Sequence, residues 1–210
     1  MANERETPVR ALCEAGRIDD ATAAALGLYG RELLSFLVSL HRDEGAAGEV
    51  FSELCEELWK SLAGFRWQCS LRTYAYTLAR RTSWRYRGDA RRSPGRNVPL
   101  SQASVVSKVA AELRSETASY LRAEAKSKFA AIRQTLTPED SALLSLRVDK
   151  EMAWSDIARV LLAETEGDGE AAPPAVVKRE SARLRKRFEL LKKKLLELGR
   201  EHGLVSAKDG

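Results

Sequence analysis

The sequence predicts an all-α protein, built as two small helical domains joined by a linker. Three observations lead there. Apolar residues recur at three- and four-residue spacing in several separate segments, which places them on one face of a helix. No segment shows the sustained period-two alternation of a half-buried strand. A breaker-rich stretch with Ser93-Pro94-Gly95 and Pro99 divides the apolar-periodic segments into two groups. The expected divisions are an extension over 1–17, a first domain over 18–92, a linker over 93–124, a second domain over 125–200 and a tail over 201–210.

The elements follow in order. Residues 1–17 are weakly periodic and predict a loose or short helical start. Asp19 or Asp20 can cap the next helix by accepting orphan backbone N–H bonds. Leu26, Tyr29, Leu33, Leu37 and Leu40 then form one stripe to about Leu40. The run Arg42 to Gly48 reads as a break, with a second helix from about Glu49. Its apolar face is Val50, Phe51, Leu54, Cys55, Leu58, Trp59 and Leu62, and Glu49, Glu53, Glu56 and Glu57 lie opposite. Gly64 opens a loop, Ser70 can cap a third helix, and Leu71, Tyr74, Ala75 and Leu78 give that helix its buried face.

In the second half, residues 104–136 look helical but polar. Thr137-Pro138-Glu139 fits a cap with proline at the first helical position, leading into Leu143, Leu144, Leu146 and Val148. A short helix covers Ala153 to Leu162. An acidic, small-residue loop runs from Glu164 to Pro173. The last helix runs from near Pro174 to about Gly199, with a stripe of Val177, Leu184, Phe188, Leu191, Leu195 and Leu198.

Composition narrows the functional classes. Hydrophobic residues make up 44% and charged residues 31%, enough for real cores. Net charge is +5, so the placement of the basic residues matters more than their total. Cys13, Cys55 and Cys69 are odd in number and form no C-x-x-C pair, which argues against a disulfide framework or a structural zinc site. Cys55, inside an apolar stripe, is expected to pack as a small hydrophobe. No uninterrupted apolar run approaches the roughly 20 residues of a membrane span, and the start has no signal-peptide pattern, so a cytoplasmic location is expected. His41 and His202 are isolated among charged residues, and no nucleophile or metal motif occurs. The expectation is a protein without catalytic residues, metal or cofactor.

Two basic clusters stand out. On the last helix, Lys178, Arg179, Arg183, Arg185, Lys186, Arg187, Lys192, Lys193 and Lys194 are opposed only by Glu180 and Glu189. Such side chains pair with phosphates, and Arg can read guanine edges with two parallel hydrogen bonds. The other reading is a solvated face beside a leucine stripe. A short helix precedes this one, and Ile157 and Ala158 can pack on its stripe. The pair therefore suggests a helix-turn-helix. The other cluster is Arg80, Arg81, Arg85, Arg87, Arg91 and Arg92, interleaved with Trp84 and Tyr86. Guanidinium groups neutralise phosphates and aromatic faces stack on unpaired bases, which suits single-stranded or melted DNA. The alternative is that Trp84 ends the core and the arginines are solvated. The acidic face of the second helix would be repelled by DNA, so its functional reading is a protein partner.

The segment Glu49 to Arg66, with Val50, Phe51, Leu54, Leu58, Trp59, Gly64 and Phe65, resembles region 2 of the sigma-70 family of RNA polymerase sigma factors. It is most similar to the extracytoplasmic-function group. Ser70-Leu71-Arg72-Thr73-Tyr74-Ala75-Tyr76 through Arg81 continues the likeness. Leu136-Thr137-Pro138-Glu139-Asp140 through Leu161, then Val177 through Phe188, resembles region 4. The likeness covers 18–92 and 125–198.

The resemblance implies an alternative sigma factor that binds core polymerase and directs transcription initiation at promoter DNA. Glu49, Ser52, Glu53, Glu56, Glu57 and Lys60 would meet the clamp helices of the β′ subunit, and the β flap would be a further core contact. Phe65, Arg66, Trp67, Gln68, Ser70, Arg72 and Tyr76 would recognise and help melt the −10 element. Arg80, Arg81, Trp84 and Arg85 would join them, with the arginines on the backbone. Lys178, Arg179, Ser181, Arg183, Arg185, Lys186 and Arg187 would read the −35 element. The linker would thread toward the RNA exit path, and an anti-sigma partner fits the same group. Two departures are visible. Ser52 stands where the group usually has glutamine. The turn of the helix-turn-helix, usually three or four residues, extends here from Ala163 to Pro173.

Two other readings use the same residues. The basic helix alone would serve a stand-alone helix-turn-helix regulator that binds duplex DNA without polymerase. The acidic and basic faces would also serve a helical adaptor that binds only proteins.

Overall fold

The computed structural model describes residues 4–89, 106, 108–114, 132–163 and 172–201. All regular structure among the described residues is helical. The expectations for Arg91 and Arg92, for most of the linker, for the start of the second domain and for the acidic stretch from Glu164 lie outside the described residues.

The extension is better ordered than its weak periodicity suggests. A single 3-10 turn, Glu4–Glu6, leads into α1 (Thr7–Glu14), with Pro8 in the first turn. Gly16 closes α1 at φ +71, a left-handed conformation that costs glycine nothing. The Arg17 amide returns to Leu12 O at 2.9 Å. Helix α2 (Ile18–His41) follows directly. Neither Asp19 nor Asp20 caps it, contrary to the sequence expectation. Arg17 holds the cap position, and both acids fall inside the first turn, where they favour the positive end of the helix dipole. Asp20 pairs with Arg17, and Asp19 accepts the Trp59 indole N–H at 2.7 Å.

By length and composition α2 could cross a membrane, although polar residues interrupt its apolar runs. Its apolarity has a local cause. Leu26, Leu33, Phe36 and Leu37 are fully buried at the centre of the bundle. Losing one of these large side chains should cost about 2–5 kcal/mol.

Helix α3 (Glu44–Leu62) begins earlier than expected, at Glu44 rather than Glu49. The break is only Arg42-Asp43. Arg42 turns the chain in the left-handed region, and the Asp43 carboxylate accepts the Ala46 amide at 2.6 Å. Gly45 and Gly48 each weaken a helix by about 1 kcal/mol, but Ala47 and Val50 between and after them are fully buried, where α3 packs on α2. Helix α4 (Leu71–Asp89) packs across both α2 and α3. A helical stretch, α5 (108–114), lays Ala110 and Leu113 on the bundle. Leu113 reaches α2 at Gly30, where a Cβ would collide with its Cδ1 methyl.

The second half begins with α6 (Pro138–Leu144), capped by Thr137 and started by Pro138 as expected. One wide turn, Ser145–Asp149, continues it and closes through Lys150 N to Ser145 O at 3.0 Å. Leu146 from this turn is buried, whereas Val148 is half exposed. Helix α7 (Trp154–Leu162) packs on α8 (Pro174–Glu201).

The two halves share an interior. Ala142, Leu143, Leu146, Ile157, Ala158 and Val160 belong to the same buried cluster as Leu26, Phe36 and Leu54. Helix α6 lies on α2, and α7 lies on α4. Polar contacts also cross this seam. Arg42 donates to Leu136 O, Ser141 Oγ donates to Ser39 O at 3.1 Å, and Arg81 Nε donates to Ala163 O at 3.2 Å. A smaller cluster of Leu136, Leu144 and Leu191 seats the middle of α8.

Candidate nucleic-acid interface

The loop between α3 and α4 is built from its aromatic residues. Phe65 stacks on Tyr74 with ring centroids 4.3 Å apart and 18° between planes. Trp67 leans on Phe65 at 4.9 Å, and the Arg10 guanidinium lies over the indole at 5.6 Å. Trp67 itself has φ 55, an uncommon conformation for a large side chain. Phe65 and Trp67 are thus partly buried against the bundle, while Arg66 and Gln68 are exposed.

The first amides of helix α4 find partners outside the helix. Ser70 Oγ accepts Thr73 N at 3.1 Å, as expected of a capping serine. The amides of Leu71 and Arg72 go elsewhere, to the buried carboxylate of Glu6, at 2.9 and 3.1 Å. Tyr29 donates its hydroxyl to the same carboxylate at 2.7 Å. No periodicity in the sequence signals this contact, which spans 65 residues.

Along α4 the expected DNA-binding residues separate into outer and inner groups. Trp84, 55% exposed, and Arg85 face outward. Tyr76 is fully buried, edge-on to Phe36 at 5.1 Å, and burial pushes its phenol well above its ordinary pKa. Arg80 is only 2% exposed, and Arg81 is tied to the second half through Ala163. Arg72 is mostly buried and held by Glu32. The buried placing of Tyr76 and Arg80 has a simple cause. With α2 and α3 on one side and α7 on another, α4 is covered beyond its apolar stripe.

The outer face of α3 carries its charges in internal pairs. Glu49 accepts the Tyr86 hydroxyl at 2.8 Å, which pushes that phenol up to about 12. Glu56 pairs with Lys60 at 2.6 Å, and Glu57 with Arg85 at 3.5 Å. Ser52 Oγ donates to Gly48 O and accepts from Arg114 at 2.8 Å, so the linker side reaches this face. Glu53 is half-buried on the same helix. Cys55 is fully buried, and its thiol is pushed up to about 12 by burial.

Helix α8 exposes Lys178, Arg179, Arg183, Arg185 and Lys186. Ser181 faces the other way and is buried, with Oγ 2.7 Å from Val177 O and 3.2 Å from Trp154 O. Arg187 pairs with Asp140 of α6 at 2.8 Å. Trp154 at the start of α7 meets Phe188 edge-on at 5.6 Å, and Ile157 and Ala158 are buried. Among the described residues, no group of three His, Cys, Asp or Glu is placed to hold a metal ion.

The helical bundle thus presents an acidic face on α3, Trp84 and Arg85 on α4 and the exposed cations of α8 on a shared core, an arrangement suited to a nucleic-acid surface. Residues 26–93 match the family model described as Sigma-70 region 2, about a third of the chain. Over this segment the chain is similar to region 2 of sigma-70 factors. No curated protein and no solved structure matches the chain significantly. The matched segment spans most of α2, all of α3 and α4, and the loop with Arg66 and Gln68 between them.

Proposed function

We propose that the chain is an alternative sigma factor of the extracytoplasmic-function type. It works in the cytoplasm, binds core polymerase and directs it to promoters by reading two elements. The observation that carries this reading is the region 2 match lying on the bundle that presents Arg66, Gln68, Trp84 and Arg85 outward. In this reading α3 meets the polymerase clamp through Glu49, Glu53, Glu56, Glu57 and Lys60. Arg66 and Gln68 are the first base contacts at the −10 element. Trp67 and Phe65, packed against the bundle, hold the loop that presents these two contacts. Trp84 supplies a stacking face and Arg85 a phosphate contact.

The exposed cations of α8 serve the −35 duplex. Lys178, Arg179, Arg183, Arg185 and Lys186 stand on one helix packed against α7, as in a helix-turn-helix docked in a major groove. No step in this function needs a catalytic group or cofactor. The test is co-elution with purified core polymerase, followed by open-complex formation on a cognate promoter. Failure to associate with core removes the proposal.

One observation favours a second reading. Helix α8 keeps its basic face exposed while α4 is partly covered by α7. A stand-alone regulator would need only α8. Tight, sequence-specific duplex binding without polymerase, falling steeply with salt, would select that reading.

A further inference from the structure

We propose that α1 and the turn before it clamp the loop over 64–70, and that the buried carboxylate of Glu6 is a positioning residue for promoter opening. The proposal rests on the −10 role given to this loop above. Glu6 is 2% exposed and accepts three hydrogen bonds: one from the Tyr29 hydroxyl and two from the first amides of α4. A helix N-terminus leaves its early N–H groups without intrahelical partners. Here Ser70 takes one and Glu6 takes two, so both sides of the loop-to-helix junction are fixed.

Further along, Arg10 of α1 lies over the indole of Trp67. Trp67 is the loop residue in the left-handed region, a conformation that persists only where the surroundings hold it. Val9, between Glu6 and Arg10, is buried in the main core and anchors α1 to the bundle. The short segment from Glu6 to Arg10 thus grips the loop at two points, its exit into α4 and its tryptophan. Base capture demands a loop held close to its productive geometry. The clamp supplies that hold without itself touching DNA.

Two measurements on the full chain test this, each comparing the parent with Glu6→Ala and Tyr29→Phe. The first is amide hydrogen exchange at Leu71 and Arg72, which needs no polymerase. Glu6→Ala should speed exchange there at least tenfold, and Tyr29→Phe by about twofold at most, since the carboxylate still caps. Unchanged exchange in Glu6→Ala overturns the clamp. The second is titration with core polymerase and with a single-stranded −10 oligonucleotide, together with the rate of promoter melting.

Glu6→Ala should bind core within about twofold of the parent at full stoichiometry, and lose about tenfold in melting rate and oligonucleotide affinity. The salt slope should stay the same, because no phosphate contact is removed. Faster exchange with unchanged melting overturns the positioning role. Loss of core binding, melting and stoichiometry together reveals a folding defect and overturns it too. If the parent itself neither binds core nor melts a promoter, the sigma-factor reading fails, and the exchange experiment still decides the clamp.

Discussion

Arg72 donates two parallel hydrogen bonds, at 2.7 and 2.8 Å, to the carboxylate of Glu32. Both side chains are about three-quarters buried. Two-point pairing of this kind is stronger than a point contact. Arg72→Ala and Glu32→Ala should each cost about 1–2 kcal/mol, and the double variant should cost little more than either. Urea denaturation of the four proteins gives the coupling. Additive losses would mean that the pair contributes nothing as a unit.

Trp67→Ala should lower promoter opening several-fold more than it lowers affinity for core polymerase. The indole contacts Phe65 and Arg10 inside the loop and lies outside the polar face of α3. Parallel measurement of core binding and of unpaired thymines in the promoter checks this. Equal loss of both would place Trp67 in folding alone.

The loop and α4 also show how far the sequence can be read. Period-three-and-four apolar spacing is sufficient for α3 and α8, because each buries one stripe, and for α2, whose buried face is broad but apolar almost throughout. Helix α4 is covered on more than one side, so Tyr76 and Arg80 point inward although their chemistry suggests a surface role. The start of α3 is hidden because glycine marks breaks locally, while the burial of Ala47 and Val50 is a tertiary effect. Ser181 sits on a basic helix, yet its i−4 spacing from Val177 puts it on the packed side. The contact from Glu6 to α4 has no local signature at all. Exposed cations, by contrast, are legible from composition, and Lys178, Arg179, Arg183, Arg185 and Lys186 are all at the surface.

Removing cations from α8 should separate DNA contact from folding. Arg183→Ala and Lys186→Ala should each weaken promoter binding and reduce the salt slope by about one where a phosphate contact is lost. Both should leave stability within about 0.5 kcal/mol. Arg187→Ala should instead reduce stability, because it frees Asp140, a mostly buried partner. Salt titrations alongside thermal melts distinguish the two behaviours.

His41 gives the fold a pH dependence. Burial, then the nearby Arg87 guanidinium, push its imidazole down to about 4. Asp43 acts in the opposite direction and Arg80 in the same one. An unfolded histidine titrates at about 6.5, so between these values the unfolded chain binds a proton that the folded chain refuses. Stability is therefore complete above about pH 6.5 and falls as the pH drops toward 4. Allowing for solvent screening, the loss by about pH 5 should be about 1 kcal/mol. His41→Gln, which keeps a hydrogen-bonding group near Ser83 Oγ, should flatten this part of the curve. Identical pH curves for parent and variant would exclude His41 as its source.

Thermal unfolding should show one cooperative transition, since a single buried cluster runs from Val9 to Leu184. Calorimetry checks this. Two separated transitions would mean that the halves unfold independently.

That shared interior limits modularity. Proteins assembled like beads tolerate exchange of one bead for a cousin's, and can be shortened between beads. The breaker-rich stretch from Ser93 to Pro99 invites a cut by sequence alone, but Ile157, Ala158 and Val160 of the trailing half lie in the leading half's oil. Either fragment expressed alone would show water a face meant for its sibling. Grafting a foreign trailing half would also require rebuilding the surface of α4. Any step that draws the halves apart must supply a replacement cover for that surface.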